Sequence, residues 1–198
     1  MKTWFLMLCM STTCLTFGQS EKTNTQLAKL VDSLYFADQA TAQIKPPDSA
    51  AAAYQRVIRS NFAPVKQILE THGYPGYDLL GKESSNRYFL LVQHSDFDPG
   101  FQKKALKLMK KQVLKKNASG QAYAALIDRT NINAGKPQVY GTQVIMGRNT
   151  QIKPCKDLKN LDKRRQSVGL EPISEYLQKC NDVFYDMNPS EKRPEKKN

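Results

Sequence analysis

The residues best suited to chemistry in this chain fall in two short polar runs. One is Gln93-His94-Ser95-Asp96-Phe97-Asp98-Pro99-Gly100-Phe101-Gln102; the other is Asp128-Arg129 followed by Gly135-Lys136-Pro137-Gln138-Val139-Tyr140-Gly141-Thr142-Gln143. Between them they hold one of the chain's 2 histidines, beside apolar segments long enough to be core. Burying such groups without partners costs about 2–7 kcal/mol each, so they must satisfy one another or face a shared pocket. They are the candidate site.

His94 is the natural proton carrier, because an imidazole changes charge near neutral pH and can act as general base or acid. Asp96 or Asp128 would orient it, and these three form the candidate catalytic set. Arg129 offers a planar fork for a carboxylate or phosphate, with Gln138 as its partner in clamping a ligand; the competing reading is a structural ion pair, with Arg129 bridging to Asp96. Gln93, Gln102, Gln138 and Gln143 are neutral amides that orient a polar ligand and transfer protons poorly, and Tyr140 adds a hydroxyl. Thr142 is the one hydroxyl in the runs that could serve as nucleophile, with Gly141 beside it leaving room for close approach; the competing reading is a strand threonine next to a bulge. The pattern His94-x-Asp96-x-Asp98 has metal-ligand types. Its spacing is loose, however, Asp98 suits a helix cap, and His72 could join only through the fold, so no metal is assigned. No phosphate loop or dinucleotide fingerprint is present, and no cofactor is expected. Neutral amides and hydroxyls around a histidine fit a polar small molecule, a glycan or a peptide.

The elements that must position these residues are mainly helical. Leu27, Leu30, Val31 and Leu34 keep the spacing of an amphipathic helix. Asp48 or Ser49 can cap a second helix after Lys45-Pro46-Pro47, and Pro64 suits the first turn of a further short one. Gly73 supplies a left-handed stop, and Tyr74-Pro75-Gly76 a turn. Tyr88-Phe89-Leu90-Leu91-Val92 reads as a buried helix begun by Glu83-Ser84-Ser85. Asp98-Pro99 is a strong helix start, with the carboxylate at the N-cap and proline at the first position. Another helix is expected from about Gln121 to Asn131. The β-branched and aromatic stretch Val139–Met146, the turn Gly147-Arg148-Asn149 and Thr150-Gln151-Ile152 predict a hairpin. Two helices, 161–168 and 172–184, close the chain with Gly169 between them. The expected class is therefore a mainly α, single helical domain with a small β-hairpin near residues 139–153.

Lys2, the apolar run Trp4–Met10 and small residues at Thr16 and Gly18 predict a signal peptide over residues 1–18, cleaved before Gln19. That run is too short for a stable membrane span, which takes ~20 residues, and the address is exported, periplasmic or secreted. A lipid on Cys14 is the alternative, against which the approach Ser11-Thr12-Thr13 argues. The rest, 198 less 18 or 180 residues, suits one domain over 19–187, followed by a basic, disordered tail over 188–198. Cys155 and Cys180 stay after cleavage. In an oxidising compartment they are expected to pair, closing a loop of roughly 26 residues that adds about 3–3.5 kcal/mol. The formal charge is +12, but it is not arranged for nucleic acid. Lys103, Lys104, Lys107, Lys110, Lys111 and Lys115 share one arc of a helix, without the arginine and aromatic interleaving of nucleic-acid readers. Anionic envelope polymers or lipids are better counter-charges.

At Gln93-His94-x-Asp96-x-Asp98-Pro99-x-Phe101-Gln102, Asp128-Arg129 and Gly135-x-Pro137-Gln138-x-Tyr140-Gly141-Thr142-Gln143 the chain resembles an uncharacterised bacterial domain-of-unknown-function family. His72-Gly73-Tyr74-Pro75, Gly81 and Arg164-Arg165 before Gly169-Leu170 support the likeness, although Tyr74 stands where the family usually has tryptophan. The resemblance spans about residues 60–178. It implies a shared site and names no reaction. Two functions follow from the residues: a hydrolase of an envelope glycan or peptide, or a non-catalytic module that binds such a ligand with the same polar cluster.

Overall fold

A computed structural model describes residues 23–193. The expected leader, its cleavage site and Cys14 lie outside the described residues, as does the end of the expected tail. Seven α-helices carry the described chain: α1 (Thr25–Ala40), α2 (Pro47–His72), α3 (Tyr77–Gln93), α4 (Pro99–Leu114), α5 (Gly120–Asn133), α6 (Leu161–Ser167) and α7 (Ile173–Met187). The strands β1 (Val144–Ile145) and β2 (Gln151–Ile152) pair antiparallel between α5 and α6, with Val144 opposite Ile152. The fold is mainly α with a small hairpin. No helix among the described residues is long and apolar enough to cross a membrane.

The apolar faces of α1 to α5 make the main core. Val31, Tyr88, Val92, Ala105, Met109 and Leu126 are all fully buried in it. Caps follow from residue type. Asn24, Asp98 and Ser119 each accept a backbone N–H of the first turn, at 3.0, 2.9 and 3.1 Å. Pro99 follows Asp98 at the first helical position, where its missing N–H costs nothing. Gly73 ends α2 at φ +70°.

Three helix boundaries differ from the sequence expectation. The second helix starts at Pro47 with Pro46 at its N-cap, so Asp48 and Ser49 lie inside its first turn and neither caps it. Pro64 lies inside α2, a continuous helix of 26 residues, and starts nothing. Its ring removes one bond to the carbonyl four residues back, but Ser60 is exposed and that carbonyl can turn to water. Buried Ile58, Asn61, Val65, Ile68 and Leu69 then hold the helix on both sides of the proline. In α3 the break lies at Gly81, whose φ of +76° interrupts the helix, and not at Glu83-Ser84-Ser85. Ser84 and Ser85 are buried, and Ser85 donates to the Pro75 carbonyl at 2.9 Å.

The C-terminal third is held by polar groups as much as by apolar ones. Only residues 144–145 and 151–152 of the predicted hairpin pair as strands. Residues 138–143 form a loop instead, joined to the chain beyond the hairpin by a lone parallel bridge between Gln138 and Cys155. The tail expected from residue 188 is tied down as far as Arg193, which donates to Asp186 at 2.7 Å and Asp182 at 3.2 Å.

Candidate functional site

His94 caps the C-terminus of α3, and its Nδ1 lies 2.7 Å from Oδ2 of Asp38, near the end of α1. The carboxylate is 1% exposed and the ring 18%. Gln39 donates to the same oxygen at 3.0 Å, while Oδ1 of Asp38 is buried without a partner among the described residues. Tyr54 of α2 meets the imidazole edge to face, with ring centroids 5.5 Å apart. His94 Nε2 makes no hydrogen bond among the described residues. With Nδ1–H donated to Asp38, the neutral ring leaves a lone pair on Nε2, the arrangement a general base needs.

A second pair sits beside the first. Asp96 accepts from Arg129 Nε at 2.9 and 3.0 Å and from Arg129 Nη2, from Gln102 at 3.0 Å and from Asn133 at 2.9 Å. Burial pushes the Asp96 carboxyl up, but hydrogen bonds from Arg129, Gln102 and Asn133 with the guanidinium charge outweigh it and hold the group below the usual range. The two pairs share surroundings. Burial, then the charges of Asp38 and Asp96 against that of Arg129, raise the Tyr54 hydroxyl, so it stays a donor through neutral pH. Gln102 is fully buried and also bonds the Val92 and Gln93 carbonyls at 3.2 and 3.0 Å, which closes the end of α3 and fixes where His94 points.

Asp128 belongs elsewhere, contrary to its expected place beside His94. One helical step from Arg129, it is fully buried and faces the 138–143 loop. Its carboxylate accepts the N–H groups of Val139 at 2.7 Å, Tyr140 at 3.0 Å and Thr142 at 2.9 Å, and the Thr142 hydroxyl at 2.9 Å. Such a carboxylate has no capacity left to orient His94. It also explains the short hairpin, since those N–H groups are withdrawn from any strand ladder. Gln138, fully buried, accepts from Gln143 N at 2.9 Å and donates to the Gln143 and Lys153 carbonyls at 2.9 and 2.8 Å. Arg164 and Arg165 close the loop from α6, Arg164 Nε on the Val139 carbonyl at 2.9 Å and Arg165 Nη1 on the Tyr140 carbonyl at 2.7 Å. At Gly141 φ is +68°, and a Cβ would meet Ile173 at 3.2 Å. Burial, then the Asp128 charge, raises the Tyr140 hydroxyl. Thr142 has a carboxylate but no imidazole beside it. The predicted single pocket is therefore two assemblies on either side of α5: His94 with Asp38, Tyr54, Asp96 and Arg129 in one, and Asp128, Gln138, Tyr140 and Thr142 in the other.

A third feature lies between α3, the start of α5 and that loop. A cleft of about 520 Å³ is lined by Phe89, Leu90, Gln93, Thr142, Gln143 and Tyr176, among others. Three of the predicted ligand-binding residues, Gln93, Thr142 and Gln143, meet there. Asp38 and Tyr54 were not legible as site residues. The signal for Asp38 was its position on the apolar stripe of α1, after Leu27, Val31 and Leu34, where a carboxylate must have a buried partner.

The bridge predicted between Cys155 and Cys180 is not made; both are free thiols. Hydrogen bonds hold the hairpin to α7 instead. Tyr176 donates to the Thr142 carbonyl at 2.8 Å, Tyr185 to the Arg148 carbonyl at 3.1 Å, and Thr150 N to Asn181 at 2.8 Å. Burial, with Cys180 alongside, pushes the Tyr176 hydroxyl up to about 12. Among the described residues no three His, Cys, Asp or Glu are placed to hold a metal ion.

A protein-family model described as a family of unknown function (DUF6624) matches residues 21–187. The match reaches beyond the 60–178 span of the sequence resemblance and takes in α1, which carries Asp38. No curated protein and no solved structure matches the chain.

Proposed function

The chain belongs to the DUF6624 family of unknown function, and from its geometry we propose an exported hydrolase that uses His94, oriented by Asp38, to split a bond in an envelope glycan or peptide. The observation that carries this reading is the 2.7 Å contact of Nδ1 with a buried carboxylate, while Nε2, on a part-exposed ring, has no hydrogen-bond partner among the described residues. In the reaction Nε2 takes a proton from water as its oxygen attacks the scissile centre. The imidazolium then returns that proton to the leaving amine or alcohol, and Asp38 stabilises the transient charge. Arg129, already paired to Asp96 through Nε and Nη2, has Nη1 free of protein partners among the described residues and can hold a carboxylate of the substrate. Tyr54 supplies a protonated hydroxyl beside the ring. Export rests on the leader-like first 18 residues, and the substrate class rests on that address.

The test is incubation of the chain from Gln19 with muropeptides and with a peptide library, read by mass spectrometry. Products heavier by one water in sum are expected from the wild type and not from His94→Ala or Asp38→Asn, at unchanged thermal stability of the folded variants. Products that persist undiminished in His94→Ala overturn the assignment. The cleft supports a second reading, a non-catalytic binding module, because amides and hydroxyls over Phe89 and Leu90 suit a sugar or peptide. That reading expects a thermal shift with muropeptides that survives His94→Ala and is lost in a Gln93→Ala, Gln143→Ala variant, with no product formed.

A further inference from the structure

The outer face of α4 has no role in the site, and it carries a dense run of positive charge. From Pro99 to Lys116 the chain holds seven lysines and no acidic residue. All seven (Lys103, Lys104, Lys107, Lys110, Lys111, Lys115 and Lys116) are exposed, and among the described residues one of them has an acidic partner, Lys104 with Glu70 at 3.7 Å. Close packing of like charges costs stability on an isolated helix, so a face of this kind needs a reason. Its centre is not polar. Stepping about 100° per residue, the five lysines inside α4 cover an arc of about 120° from Lys110 round to Lys104, and Leu114, the last residue of the helix, projects from within that arc. It is 77% exposed, the most exposed of the large apolar side chains among the described residues. The opposite face, Phe101, Ala105 and Met109, is buried in the core and fixes which way the lysines point.

We propose that this face docks the protein onto an anionic phospholipid bilayer, the lysines lying among phosphate headgroups and Leu114 entering the acyl boundary. A convex helix with flexible ammonium groups round one apolar side chain matches a flat, fluid, anionic surface. A nucleic acid is disfavoured because the exposed face has no arginine and no aromatic ring to stack on a base. The surface stands independently of the His94 chemistry.

The test uses the chain from Gln19, sedimented with vesicles of pure phosphatidylcholine or of two parts phosphatidylcholine to one part phosphatidylglycerol. Binding to the second and not the first is expected, weakening with salt. Neutralising three lysines (Lys107→Gln, Lys110→Gln, Lys111→Gln) should weaken it about a hundredfold, with the melting temperature kept. The chain's 1 tryptophan is Trp4, in the leader, so Leu114→Trp in the leaderless chain places a lone fluorophore. Its emission should shift to the blue on the anionic vesicles alone. No binding to them, equal binding to both vesicle types, or emission that stays water-like while the protein is bound would overturn the proposal. So would duplex DNA binding tightly where anionic vesicles do not.

Discussion

His94 could be singled out from its neighbours, but the carboxylate that orients it could not. Asp38 precedes it by 56 residues, and sequence proximity favoured Asp96 and Asp128. Each of those was already committed, Asp96 to the Arg129 fork and Asp128 to the backbone of a loop. The Asp96–Arg129 pair was legible, because an aspartate and an arginine in neighbouring polar runs have strong reason to meet. Its electrostatics make a testable statement. The folded-state carboxyl titrates below its unfolded value, so it stabilises the fold above about pH 4 and loses that contribution as pH falls through the folded value. At 36% exposure the gain is screened and small. In urea titrations the midpoint gap between wild type and Asp96→Asn should be constant from neutral pH to about pH 5 and shrink below about pH 4. A gap that widens on acidification would reverse the sign and refute the pairing.

At the scale of elements, caps, stops and helix periodicity were readable because they are local. Asp98-Pro99 begins α4 and Gly73 ends α2 for reasons contained in a few residues. Where tertiary packing decided, local reading failed. Pro64 stays inside α2 because both flanks are buried, and Val139–Gln143 leaves the sheet because Asp128, on another element, captures its N–H groups. The loop is thus built round a carboxylate, and that has a measurable consequence. Asp128→Ala strands three backbone donors and a hydroxyl in a part-buried site, and should cost about 3 kcal/mol or more in unfolding free energy. Hydrogen exchange at Tyr140 and Thr142 should quicken well before that of α3. A variant with wild-type stability would show that the loop holds itself.

For the whole molecule, the class was legible from helix periodicity with one β-rich stretch, and the division of the site was not. The helix α5 separates two polar assemblies that the sequence presents side by side, since Asp128 and Arg129 are adjacent in the chain and point about 100° apart. One assembly supports a loop and the other leaves an imidazole nitrogen without a partner among the described residues. The central claim is therefore that Asp38 fixes His94 so that Nε2 is the free base. Nitrogen-15 NMR of the imidazoles in the intact chain tests it most directly, with His94→Ala to assign the resonances. In its neutral form His94 should carry its proton at Nδ1 and leave Nε2 bare, a tautomer preference that Asp38→Asn erases. A His94 that carries its neutral proton on Nε2 in the wild type would contradict it.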